Sequence, residues 1–138
     1  MKLLRNLLLF CCLALTACVH DTGIRHEFEK STKEYNRMLR WQEISRAAAT
    51  YSEPEYRDEF ISAAATIRTR GVTITDYRIL TTECLPDKET GEVVAEFDYY
   101  ILPSNRIKSL TYSQDWVYRS TTGTKKTWKV KSALPAFE

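Results

Sequence analysis

The spacing at which apolar side chains recur changes once along this chain, at Gly71, and that change limits the fold more than any other feature. Before Gly71 the apolar residues fall near three, four and seven apart, which draws one stripe along a helix. From Ile24 to Tyr51, without a single Pro or Gly, the stripe is Phe28, Tyr35, Met38, Leu39, Ile44, Ala48 and Tyr51. Trp41 lies off its centre. The segment predicts one helix, either unbroken or bent near the alanines at 47–49. A second helix is predicted after Ser52, with Ser52 and Glu55 as a capping box and Tyr51 and Tyr56 as a hydrophobic staple. Pro54 falls in its first turn, where a missing donor costs little. Tyr56, Phe60, Ala63, Ala64 and Ile67 form its apolar stripe, and Gly71 supplies a left-handed stop.

Beyond Gly71 the period becomes two, and Val, Ile, Thr and Tyr dominate, so the chain reads as strands. Val72–Cys84 slips phase between Ile74 and Tyr77, which predicts a bulge near Asp76. Residues 85–91 are turn material. Glu92–Leu102 puts Val93, Ala95, Phe97, Tyr99 and Ile101 on one face, and Arg106–Arg119 puts Leu110, Tyr112, Trp116 and Tyr118 on one face. The last strand holds Trp128, Val130 and Leu134 on one side, with Lys129 and Lys131 on the other, and Pro135 ends it. The expected fold is α+β: two N-terminal helices packed on a curved four-stranded antiparallel meander.

Residues 1–17 read separately, as an export leader. Lys2 and Arg5 give a positive start, Leu7–Leu15 is an uncharged apolar run, and Leu15-Thr16-Ala17 leads into Cys18. The run is far short of the ~20 residues a spanning helix needs. This resembles the lipobox of bacterial lipoproteins, in which lipid is joined to the cysteine and the chain is cut before it. An ordinary secretory signal cut after Ala17 is the alternative, but Leu15 fits its −3 position poorly. The expected layout is a signal over 1–17, a lipidated tether over 18–23, and one domain over 24–138. Two or three acyl chains on Cys18 would make release negligible, since each buried methylene contributes ~0.8 kcal/mol. The resemblance implies palmitate-type acylation and residence in the cell envelope. Val19, where Asp would signal inner-membrane retention, points to the periplasmic face of the outer membrane.

Removing seventeen residues from 138 leaves 121, enough for one domain that folds without staples. Lys2 and Arg5 leave too, so 18 basic residues face 18 acidic ones. A neutral domain has no electrostatic footprint for nucleic acid. Cys11 and Cys12 leave with the leader and Cys18 takes lipid, so Cys84 stands alone and no internal disulfide is possible. It reads as a small packing residue.

The helix–helix–strand order behind a lipobox also resembles the small NTF2-like, or cystatin-like, lipoproteins of bacteria. The residues carrying this are the helical pair from Arg40-Trp41 to Tyr56, the alternating strand Val93–Leu102, and the closing Trp116-Val117-Tyr118, Gly123 and Trp128-Lys129-Val130. The extra hairpin or third helix of many members has no counterpart in the pattern, so a deep enclosed pocket is not expected. That family includes enzymes, carriers and adaptors, so fold alone does not decide function.

Catalytic constellations are scarce. No histidine follows His26, no serine sits in a nucleophile elbow, and neither Cys-x-x-Cys nor His-x-x-x-His occurs. Four glycines leave no phosphate-cradling loop. No catalytic residue, cofactor or metal is therefore expected. The resemblance leaves one enzymatic option, an isomerase or dehydratase with Asp98 beside Tyr99 and Tyr100, or Asp76 beside Tyr77. Another option is a small-molecule or lipid carrier using the space between helices and sheet. The favoured expectation is a non-catalytic module that binds an envelope protein or peptide, with Trp41, Tyr77, Tyr100, Trp116 and Tyr118 as a candidate surface. Lys125, Lys126, Lys129 and Lys131 read as a solvated edge or as contacts to anionic lipid.

Overall fold

The computed structural model describes the backbone of residues 2–121 and 123–138 and the side chains of residues 20–121 and 123–138. Helix α1, Lys2–Arg40, includes residues 2–19, whose side chains, that of Cys18 among them, lie outside the described residues. Among the described residues, the first buried side chain of the core is Ile24. All seven residues of the expected stripe from Phe28 to Tyr51 are buried, joined by Ile24 and Ala47.

The first helical segment breaks earlier than the alanine run, at Trp41–Glu43. Gln42 adopts φ 57°, the left-handed region. Its amide donates to the Leu39 carbonyl at 3.0 Å, and the Glu43 amide to the Met38 carbonyl at 2.9 Å. That pair of bonds is a Schellman stop, usually built on glycine. Here Gln42 offsets the strain by donating from Nε2 to the Val72 carbonyl at 3.0 Å. Helix α2 then runs Ile44–Tyr51, so three helices precede the sheet in place of two.

The expected capping box does not form. Ser52 Oγ donates back to the Ala48 carbonyl at 2.6 Å, and the Glu53 amide donates to Val130 at 3.1 Å. The junction is therefore spent on the exposed edge of the last strand, where Ser52 bridges Val130. A 3₁₀ turn, Pro54–Tyr56, precedes α3, Arg57–Thr69. Phe60, Ala64 and Ile67 are buried, while Tyr56 and Ala63 are half-buried. Gly71 stops the helix at φ 68°, and a Cβ there would meet the Leu102 side chain at 3.2 Å.

Four antiparallel strands follow in sequence order: β1 Val72–Leu85, β2 Thr90–Ile101, β3 Lys108–Arg119 and β4 Thr127–Val130. The bulge expected near Asp76 occurs between Ile74 and Asp76, and a second lies between Ile79 and Thr81. The first of them brings Val72, Ile74, Tyr77 and Ile79 to one face of β1. That face also carries Val93, Ala95, Phe97 and Tyr99 of β2, and Tyr112, Gln114 and Trp116 of β3.

β4 ends at Val130, four residues before the expected Leu134. Beyond it, Ser132 Oγ accepts from the Asp115 amide at 2.8 Å and the chain crosses towards α3. Phe137 seats edge-on against Tyr99 and Phe97, with centroids 5.1 and 6.4 Å away. Burying that ring outweighs further strand pairing for a tail that contains Pro135.

Candidate functional site

The five aromatics of the expected surface are not brought together. Trp116 is 1% exposed and belongs to the core, which corrects its assignment to a surface. Its ring meets Tyr35 edge-on at 5.3 Å and Phe28 at 6.2 Å, because it shares parity with buried Tyr112 and Gln114. Tyr118 leans on Trp128 at 5.2 Å, and its hydroxyl donates to Glu27 at 3.3 Å. Tyr77 stacks on Phe97 at 5.9 Å, beside α1. Tyr100 follows buried Tyr99 and so points to the opposite face of the sheet. Trp41 alone is strongly exposed, at 66%.

The carboxylates considered for an NTF2-like enzyme also lie away from the helices. Asp76 and Asp98 face each other across β1 and β2 on the outer side of the sheet. Asp98 accepts from Ser109 Oγ at 2.6 Å and pairs with Arg78 at 3.4 Å. Of the four lysines around the last turn and strand, Lys125 and Lys131 are exposed. Lys126 pairs with Glu89, whereas Lys129 donates to the Thr50 carbonyl at 2.6 Å, and burial pushes its ammonium pKa down. Cys84 is half-buried and burial pushes its thiol pKa up, which suits packing better than nucleophilic chemistry.

Sequence reasoning missed two buried polar features. Glu53, 1% exposed, pairs with Arg119 through one oxygen, while Oε1 has no partner among the described residues. The capping pattern around Ser52 concealed it. The second is an amide pair between α1 and β3. Gln114 Nε2 donates to Asn36 Oδ1 at 2.7 Å, and Asn36 Nδ2 donates to Gln114 Oε1 at 3.2 Å and to the Thr32 carbonyl at 2.8 Å. Trp116 Nε1 adds a bond to Gln114 Oε1 at 3.3 Å. The Tyr35 and Tyr112 hydroxyls meet at 3.0 Å beside it. Burial, then the mutual contact, pushes the Tyr35 phenol well up; burial does the same to Tyr112. These groups occupy the space between helices and sheet where a carrier would hold its cargo. A hollow of about 260 Å³ remains further along, between Ile67 of α3, Arg70 just after it, Val72, and Leu134 and Phe137 of the tail.

The exposed side of α1 carries a different arrangement. Lys30, Lys33 and Arg37 are exposed and make no ion pair among the described residues. Two hollows flank them and share Arg37. One, about 340 Å³, lies between Lys30, Lys33, Glu34, Arg37 and Tyr77. The other, about 430 Å³, lies between Arg37, Met38, Trp41, Glu43 and Arg46 of α2. The Arg40 guanidinium sits 4.8 Å from the Trp41 ring and donates to the Ile74 carbonyl at 2.8 Å. Arg46 holds Glu43 at 2.9 Å. Nearby, burial and the Glu34 carboxylate push the Tyr51 phenol up to about 12, with the charges of Arg37 and Arg46 opposing. In the sequence these cations are visible only as the polar complement of the buried stripe.

No family model matches the chain, and no curated protein is significantly similar to it. Among solved structures it is similar to the intermembrane-space region of the chloroplast protein ARC6. That match has 16% identity over 77% of this chain and 97% of that one, with a TM-score of 0.41. A likeness of this size supports no argument about function.

Proposed function

We propose that this chain is a lipoprotein of a bacterial cell envelope, held by lipid on Cys18, and that its domain is a non-catalytic module for binding a protein or peptide. The observation that carries the reading is Leu15-Thr16-Ala17-Cys18 directly after a charge-free apolar run. His20–Gly23 belong to α1, so the step from His20 to Ile24 spans about 6 Å at helical rise. A domain tethered so closely works against the membrane surface. Val19 favours the outer membrane and its periplasmic face.

A non-catalytic role is supported by the placement of Asp76 and Asp98 on the outer sheet face and by the binding of Glu53 to Arg119. A second reading, a carrier of a small apolar molecule, draws on the hollow between α3 and Phe137. The layout of helices on an antiparallel sheet is compatible with an NTF2-like domain in either case.

The anchor is tested by replacing Cys18 with Ala and following a clickable palmitate label together with membrane partition. The natural chain should take the label and sediment with membranes. The variant should lose the label and remain unprocessed. Normal processing of the variant, or an unlabelled natural chain, would end the lipoprotein reading.

A further inference from the structure

We propose that the exposed ridge of α1 from Lys30 to Trp41 is the docking surface of this module, and that it takes an extended acidic segment of another protein. The inference deepens the binding role proposed above and rests on it. Its first support is charge. Lys30, Lys33 and Arg37 stand in a row on one helix face with no ion pair among the described residues, and Arg46, paired with Glu43, joins them from α2. Against these four cations the two hollows hold the carboxylates of Glu34 and Glu43. In a domain whose 18 basic and 18 acidic residues balance as a whole, four cations to two carboxylates is a local positive surplus that an acidic segment complements.

Shape is the second support. The two hollows run along the ridge and meet at Arg37, walled by Tyr77 at one end and Trp41 at the other. A flat bilayer surface cannot enter them, whereas a peptide's side chains can. The eleven steps from Lys30 to Trp41 cover about 16 Å at helical rise, the length of about five extended residues. Arginine and tryptophan are also the residues that most often dominate binding energy.

Rigidity is the third. Trp41 is fixed by its amide bond to the Arg37 carbonyl at 3.1 Å and by the Schellman stop that follows it. Arg40, itself pinned to β1, lies against its ring, yet most of the indole stays in water. Gln42, a non-glycine residue at positive φ, stands next to this exposed ring. A surface held ready in this way loses little entropy on binding. The occupant that fits is an acidic strand with one flat apolar side chain to lie on Trp41.

The test titrates the full chain, in neutral phosphatidylcholine nanodiscs or in plain buffer if Cys18 carries no lipid, with a fluorescein-labelled Asp-Glu-Phe-Glu-Asp peptide. Lipid state and peptide binding are thus read separately, and the anchor can fail without the ridge failing. Polarisation should rise on binding. Affinity should fall at least about tenfold in Arg37→Glu and in Trp41→Ala, and again in about 0.5 M salt. Both side chains are exposed, and unchanged circular dichroism checks that the variants fold. A Lys-Lys-Phe-Lys-Lys peptide should not bind. The proposal is overturned if the acidic peptide fails to bind at low salt, or binds Arg37→Glu equally well. It is also overturned if the ridge binds phosphatidylglycerol vesicles in an Arg37-dependent way and ignores the peptide.

Discussion

A methyl group added at Gly91 should destabilise this domain, although Ala is normally the better residue in a strand. Gly91 is buried in β2, paired with Cys84 on one side and Trp116 on the other. A Cβ there would lie 2.5 and 2.6 Å from two ring carbons of Phe28, and 3.1 Å from the Glu83 carbonyl oxygen. Phe28 is fully buried, with its ring against Trp128 at 4.6 Å and Trp116 at 6.2 Å. Trp128 is itself fastened to α1 through Nε1 and the Ile24 carbonyl at 3.2 Å. The ring therefore has nowhere to go unless α1 lifts from the sheet. Overpacking of this kind costs about 1–3 kcal/mol, and a clash with both backbone and a wedged ring puts it near the top. Relief of glycine's unfolded-state entropy offsets about 0.5–1 kcal/mol. The net loss should be about 2 kcal/mol, a drop in Tm of about 8 °C for a domain of this size. Urea denaturation followed by tryptophan fluorescence measures it. Phe28→Leu alone should cost about 1–2 kcal/mol. Combined with Gly91→Ala it should cost less than the sum by about 1 kcal/mol, because the shorter side chain makes room. A neutral Gly91→Ala, or strict additivity in the double variant, would refute the packing argument.

The Asn36–Gln114 pair invites a similar cycle. Changing either residue to Leu strands the other amide in the core and should cost about 1–3 kcal/mol, whereas the double Leu variant should recover much of that, as read from the urea midpoint. Stability should also decline at high pH. The Tyr35 and Tyr112 phenols are raised above their unfolded value near 10, so the folded chain holds their protons longer than the unfolded chain. Their contribution is complete below about pH 10 and is lost above it, with a limiting slope near 1.4 kcal/mol per pH unit for each phenol. Thermal melts from pH 8 to 11.5 should show the fall, and Tyr35→Phe should make it shallower; an unchanged slope would count against the buried pair. Loss of palmitate label in Cys18→Ala and loss of acidic-peptide binding in Arg37→Glu complete the set.

Short-range pattern in the sequence determined most of the scaffold. Period 3.6 located the helical stripe, period 2 located the strands, and the phase slip around Asp76 identified a bulge, since each depends on residues within a few positions of one another. Gly71 was legible as a stop because glycine announces a positive φ. Gln42 makes an equivalent stop but looks like an ordinary helical residue, and its compensation comes from Val72, thirty residues away. Ser52 and Glu55 carried a valid local capping signal, yet the edge of β4, nearly eighty residues further on, claimed that backbone. Trp116 shows the same limit: its parity was readable, but whether an aromatic on a strand faces core or water depends on what covers it. The ridge of α1 was present in the sequence as a helix's polar face. It became a candidate site only when β1 brought Tyr77 to one end and the bend at Gln42 turned α2, with Arg46, to the other. Local propensity sets which segments are helix or strand; contacts between residues far apart in the chain form only when those segments close on one another, and they decide where the segments end and which exposed face is shaped to bind.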